Sequence, residues 1–272
     1  MFGAIIGDIV GSRFEGNNYQ SKSFDLFGND DLPRPPCKFT DDTVMTAAVA
    51  DALLQFDSIG DGEAFQAVLT ERMHAIGRAH PNCGVGVRFC HWIMRGGTRP
   101  YGSYGNGSAM RVSPVGWYAD SLAEAERIAE LSAAVTHNHP EGIKGAKAVA
   151  GVIWLARHGA GKPELREYVT ERFYPDAFSR SLAEIRPGFT FDVSCQGTVP
   201  AALEAFWEAA DFEDAVRNAV SLGGDSDTLA AITGSIAEAY YGVPDPIREK
   251  AVSFLDAELR EITLRFTEKY GK

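Results

Sequence analysis

Residues 122–135 read Leu122-Ala123-Glu124-Ala125-Glu126-Arg127-Ile128-Ala129-Glu130-Leu131-Ser132-Ala133-Ala134-Val135. Leu122, Ala125, Ile128, Ala129 and Ser132 fall on one face of a 3.6-residue repeat and most of the charges on the other, which predicts an amphipathic helix. The same period recurs on both sides. Thr40 to Phe56 sets Val44, Ala47, Ala48, Asp51, Ala52 and Gln55 at helical spacing. Helices are also predicted over Gly62 to Ala79, Val85 to Met94, Pro163 to Phe173, Val199 to Ala209, Phe212 to Val220, Thr228 to Tyr241 and Pro246 to Phe266. Gly145 to Arg157 is alanine-rich and mostly apolar, the pattern of a buried helix. Period-two alternation is best at Gly188 to Val193, a short strand or an extended loop. The expectation is an all-α protein.

The chain has 272 residues, enough to bury a sizeable core, and no stretch reads as a linker, so one domain over 1–272 is expected. The net charge of −11 argues against a general nucleic-acid or membrane-surface binder. No apolar run approaches the ~18 residues of a membrane span. The opening Met1 to Gly11 is apolar but short and lacks a basic flank, so it does not read as a signal peptide. Cys37, Cys83, Cys90 and Cys195 are widely spaced with no CxxC pair, which predicts neither a zinc site nor a disulfide framework. A reduced, cytoplasmic protein is expected. Three long stretches, Asn17 to Cys37, Gly96 to Gly116 and Tyr174 to Gly197, read as loops, and loops of ~20 residues in a compact domain are often functional.

The sharpest local features are two acidic helix entrances, Phe39-Thr40-Asp41-Asp42-Thr43 and Gly223-Gly224-Asp225-Ser226-Asp227-Thr228. Helix capping is one reading, worth ~0.5–2 kcal/mol per cap, but a single Asp suffices for it. Paired carboxylates repel unless something neutralises them, and a hard divalent cation such as Mg²⁺ would do so. Four carboxylates match two such ions, a common catalytic pair. Spacing alone leaves capping and metal binding both open. At the start of the chain Asp8, Gly11 and Glu15 would share a helix face, with small residues allowing close backbone approach. Asp8 reads best as a structural hydrogen-bonding group, and Glu15 on local pattern alone as a solvent-facing helix end. Other chemistries fail: Gly159 to Pro163 is no Walker motif, Gly105 to Met110 is not GxGxxG, and there is no Gly-x-Ser-x-Gly elbow. Asp225-Ser226-Asp227-Thr228 departs from an aspartyl-phosphatase motif. His137 and His139, two apart, suit polar contacts better than a shared metal.

Five segments in order, Gly7 to Glu15, Thr40 to Thr43, Gly105 to Arg111, Thr136-His137 and Gly224 to Thr228, form a set that resembles the ADP-ribosylglycohydrolase family. That family includes dinitrogenase reductase-activating glycohydrolase and the ADP-ribosyl-acceptor hydrolases. The resemblance implies a multi-helix bundle with a central cleft holding two Mg²⁺ or Mn²⁺ ions. It implies that Thr40, Asp41 and Asp42 bind one ion and that Asp225, Asp227 and Thr228 bind or bridge to the other. It makes Glu15, Asp41 and Asp42 the catalytic carboxylates, Glu15 matching the family's mobile acidic residue. The implied reaction cleaves the bond between the distal ribose C1 and an acceptor on a modified protein or small molecule, releasing ADP-ribose. The chemistry is consistent, because carboxylates stabilise an oxocarbenium-like state and metal-bound water is a nucleophile at neutral pH. Asn106, Gly107, Ser108, Ala109 and Met110 are the expected pyrophosphate loop, where glycine lets backbone N–H groups approach, with a bare surface turn as the alternative. His137 is a candidate donor to a phosphate or ribose oxygen. Tyr101, Tyr104, Phe189 and Phe191 are candidates to stack on adenine. A monomer with no direct nucleic-acid or membrane contact is expected. Asn17 to Cys37 and Tyr174 to Gly197 carry no family motif, which leaves the acceptor open. A non-catalytic ADP-ribose binder of the same fold and a two-metal phosphoesterase are the rival readings.

Overall fold

A computed structural model of the chain describes residues 1–271. Among these residues there are fifteen α-helices and one 3-10 turn, with no strand. In chain order they are α1 Phe2–Gly11, α2 Asp41–Leu53, α3 Gly62–Ala79, α4 Val87–Met94, α5 Gly107–Met110, α6 Ser113–Tyr118, α7 Leu122–Ala134 and α8 Pro140–Arg157. There follow α9 Lys162–Arg172, α10 Leu182–Ile185, α11 Cys195–Trp207, α12 Phe212–Val220, α13 Ser226–Tyr241, α14 Asp245–Val252 and α15 Ala257–Tyr270. The fold is all-α.

The periodic segments form helices for the reasons their patterns give. In α7 the residues Ala125, Ile128, Ala129, Ser132 and Ala133 are buried, and Ser121 caps the start by accepting from the Glu124 N–H at 3.2 Å. The stripe packs on α8, whose Ala146, Ala148, Val149, Ala150, Val152 and Ile153 are all buried.

α1 is buried along its whole length and lies against α13, which is buried from Ser226 to Ala237. Three glycines four residues apart make the contact. A Cβ on Gly3 would stand 2.0 Å from the Gly234 carbonyl oxygen, one on Gly7 1.9 Å from that of Ala230, and one on Gly11 2.4 Å from that of Ser226. The pairing runs antiparallel, so the C-terminal end of α1 meets the N-terminal end of α13. Asp8, near that end, accepts hydrogen bonds from the Thr40 and Thr43 backbone N–H groups at 2.8 and 3.1 Å, and from both threonine hydroxyls. It thereby ties in the first turn of α2. Two helix N-termini and one C-terminal end converge at a single point.

Of the two readings of Gly188 to Val193 the extended loop holds: its start belongs to the 3-10 turn Arg186–Gly188, and beside it an isolated bridge pairs Gly105 with Ser194. Four other expectations need correcting. Pro246 to Phe266 is two helices, because Asp256 caps a new one by accepting from the Leu259 N–H at 2.9 Å. Gly96 to Gly116 contains the short α5 and the start of α6, and Tyr174 to Gly197 contains α10. Finally, Glu15 does not continue the face of Asp8 and Gly11. The helix stops at Gly11, and Gly16, at φ 67°, donates its N–H to the Gly224 carbonyl at 2.9 Å.

Candidate metal centre and its cleft

The converging helix ends place carboxylates from distant parts of the chain together. Asp8, Asp42 and Asp227 offer carboxylate oxygens that all lie within 4.8 Å of one another, and so do Glu15, Asp225 and Asp227. Asp227 is common to both groups. The N-terminal ends of α2 and α13 point their partial positive charge at this cluster. That favours anions, yet not enough for so many. Burial, and then Asp8, Asp227 and Asp41, hold Asp42 well above the ordinary carboxylate range. Burial, and then Asp225 and Glu15, do the same to Asp227. Burial and Asp8 push Asp41 up to about 7. Asp8, Asp225 and Glu15 are also raised, burial being the largest cause in each. Such a cluster calls for cations to ionise fully.

The hydrogen bonds separate capping from what capping leaves over. Thr40 is the N-cap of α2: its hydroxyl donates to Asp8 Oδ1 at 2.6 Å and accepts from the Asp42 N–H at 3.4 Å. Asp42 Oδ2 accepts from the Thr228 hydroxyl at 3.2 Å. Asp42 Oδ1 is buried and has no hydrogen-bond donor. An orphaned carboxylate oxygen inside an acidic cluster fits a divalent cation, and the all-oxygen donor set suits a hard ion such as Mg²⁺ or Mn²⁺. Asp225 is fixed from the other side by Asn106, whose amide donates to Asp225 Oδ2 at 2.6 Å and to the Thr198 hydroxyl at 3.0 Å. Two glycines shape the approach to Asp225. Gly223 and Gly224 have φ of 76° and 68°, a conformation that favours glycine, and a Cβ would stand 2.8 Å from Asn18 Oδ1 on the first and 3.2 Å from the Thr190 carbonyl oxygen and 3.3 Å from the Phe189 ring on the second. The two segments without a family motif therefore both pack on this turn.

Above the cluster lies a cleft of about 480 Å³. Glu15, Asp41, Asp42, Asp225, Asp227 and Thr228 form part of its lining, as do Asn106, Gly107, Met110 and His137. Glu15 is exposed and Asp41 half-buried, whereas Asp42, Asp225 and Asp227 are buried. Thr40 sits behind the carboxylates. Ser108 and Ala109 are buried away from the cleft, the Ser108 hydroxyl donating to the Gly142 carbonyl at 2.7 Å. Of the aromatic candidates, Tyr101 and Phe191 line the cleft, while Tyr104 tilts against His139 and Phe189 packs beside Gly224. His139 caps α8 by accepting from the Glu141 N–H. Sequence reasoning gave Asp8 a structural role only, and the role is there, but its carboxylate also stands in the first group of three. It passed over Val87, Arg88 and Phe89 at the start of α4, which line one wall. Their segment carries no chemical motif.

A cluster of this composition, on helix ends at the base of a cleft, defines a candidate dinuclear metal site in an all-α scaffold. A model of the ADP-ribosylglycohydrolase family matches residues 1–272. The chain is 27% identical to ADP-ribosylarginine hydrolase Tri1 of Pseudomonas putida, over 89% of this chain and 70% of that protein. It is 26% identical to ADP-ribosylhydrolase ARH3 of Mus musculus, over 94% and 87%. It is 32% identical to an uncharacterized protein of Archaeoglobus fulgidus, over 90% and 88%. Among solved structures, an "ADP-ribosylglycohydrolase-related protein complex" superposes with a TM-score of 0.70 at 25% identity, covering 98% of this chain and 94% of that one. The chain belongs to the ADP-ribosylglycohydrolase family.

Proposed function

We propose that the protein hydrolyses the bond between C1 of the distal ribose of an ADP-ribosyl group and its acceptor atom, releasing ADP-ribose. The cofactors are two divalent cations, Mg²⁺ or Mn²⁺. Thr40, Asp41 and Asp42 hold one and Asp225, Asp227 and Thr228 the other, with Asp8 behind the first. The observation that carries this reading is the donorless, buried Asp42 Oδ1 beside the shared carboxylate of Asp227. When bound, the cations orient the ribose hydroxyls and lower the pKa of water.

The chain's own groups do the rest. Asp41 and Asp42 stabilise the positive charge that develops at C1. Glu15, exposed at the cleft edge with a raised proton affinity, handles the proton at the acceptor atom. Asn106 fixes Asp225 while Gly107 allows backbone to approach the pyrophosphate, and His137 donates to it. The substrate is an ADP-ribosylated protein side chain or small molecule, and the acting unit is one domain, 1–272, working as a monomer. Among the described residues no helix is long and apolar enough to cross a membrane. The four cysteines are free, which supports the cytoplasmic reading.

The test uses purified protein with Mg²⁺ or Mn²⁺ and three substrates: peptides ADP-ribosylated on Arg, peptides ADP-ribosylated on Ser, and O-acetyl-ADP-ribose. Products are identified by mass spectrometry. Free ADP-ribose from at least one is expected. AMP with the ribose phosphate left on its acceptor would make the protein a phosphoesterase, and no product from any would leave it a binder.

A further inference from the structure

Arg111 and Thr136 belong to neither carboxylate group, yet they reach the cleft through His137. Arg111 lines the cleft, is 1% exposed, and has no carboxylate among the groups that perturb it. Burial lowers its pKa only to about 10, so it is a buried cation at neutral pH. A buried charge lacking an opposite charge is costly. Its Nη2 donates to the Ser132 carbonyl and to the Thr136 hydroxyl oxygen, both at 3.0 Å. Thr136 is fully buried, and its Oγ1 lies 2.7 Å from His137 Nδ1.

The proton count decides the direction of that last bond. Arginine can only donate, so Thr136 Oγ1 accepts from Arg111 and keeps one proton of its own. If His137 Nδ1 also donated to it, the hydroxyl proton would be buried without an acceptor, costing ~1–3 kcal/mol. The hydroxyl therefore donates to Nδ1. Burial and the Arg111 charge keep the imidazole neutral, so its single proton is on Nε2. That nitrogen would stand 3.2 Å from a Cβ placed on Gly107, which directs it at the glycine turn of the cleft wall.

We propose that Arg111, acting through the Thr136 hydroxyl, is a positioning residue that holds His137 in the tautomer whose Nε2–H donates to a diphosphate oxygen of the ligand. The ligand assignment rests on the function proposed above; the tautomer does not. The diphosphate in turn supplies the negative charge that Arg111 lacks within the protein.

Two measurements on Mg²⁺-loaded protein test this. Nitrogen NMR of ¹⁵N-histidine-labelled protein at neutral pH is expected to give His137 as the Nε2–H form in wild type and in Thr136→Ser, and as a mixture in Thr136→Val. Calorimetric titration with ADP-ribose is expected to show about tenfold weaker binding for Thr136→Val and near wild-type binding for Thr136→Ser. Arg111→Lys, which keeps the charge but not the fork, should fall between them. A wild-type His137 found as the Nδ1–H form or as imidazolium overturns the proposal, as does a Thr136→Val protein with unchanged tautomer and affinity. Wild-type protein that fails to bind ADP-ribose overturns the proposed function itself. The tautomer spectrum then tells the two failures apart.

Discussion

Asp227 and the residues around it behave differently from helix caps. A cap stabilises its helix, and its removal costs ~0.5–2 kcal/mol. Asp227 instead sits among carboxylates that raise its proton affinity, and it belongs to both ligand groups. Asp227→Ala is therefore expected to lower Mn²⁺ affinity by more than about 100-fold, beyond the range of outer-shell changes, and to abolish turnover. The metal-free variant should melt at or above the wild-type temperature, since a repulsion is relieved. Calorimetric Mn²⁺ titration and a thermal melt in chelator check both halves, and a lowered melting temperature with intact metal binding would make Asp227 a cap after all. Glu15 stands apart, exposed and held near Asp225 by the Gly16–Gly224 hydrogen bond. Glu15→Gln should cut turnover by about 100-fold or more and leave ADP-ribose affinity within about twofold. Wild-type turnover in that variant would remove the proton-handling role.

At the scale of elements, the α1–α13 contact is the most extensive helix pairing among the described residues, and glycine makes it. Gly7→Ala would force a methyl to within 1.9 Å of the Ala230 carbonyl oxygen. The helices must separate, at a cost of about 3 kcal/mol or more. The expected readout is a lower urea midpoint together with weaker metal binding, because the same contact sets Asp8 beside Asp227. Amphipathic helices such as α3 and α7 were legible in the sequence because one face is wet. α1 was not, since it is buried all round and its apolar run carries no period to read. The short α5 and α6 hid in a glycine-rich stretch, where composition argues for loop and only tertiary packing makes helix. The division between α14 and α15 lay in a cap at Asp256 that the long periodic run obscured. The two acidic entrances were legible as motifs. Their mutual distance was not, because it depends on glycine contacts between helices more than two hundred residues apart in sequence.

For the whole molecule, the cluster couples metal content to stability and to pH. Asp41 has a folded value of about 7 against an ordinary 3.8. A carboxyl raised in the folded state adds stability that is complete below the unfolded value and lost as pH rises through the folded one. The metal-free protein should therefore lose stability from this group between pH about 4 and about 7, the interval its folded and ordinary values mark out. The difference in melting temperature between wild type and Asp41→Asn, followed in chelator over that interval, isolates it from the surface ion pairs. With saturating Mn²⁺ the trend should reverse, because protons and cations compete for the same oxygens. A flat difference curve would mean that Asp41 is ordinarily ionised without metal.

The antiparallel seam between α1 and α13 also has a meaning in time. On the ribosome α1 has its glycine-lined face open until residues 226–241, its partner, have emerged. At synthesis rates of roughly 5–20 residues per second, that interval is on the order of ten seconds or more. For most of it Asp8 and Asp42 are present and Asp225 and Asp227 are not. A nascent chain thus carries half a metal site, and a product truncated before α13 would be unable to close its core or gather its cations.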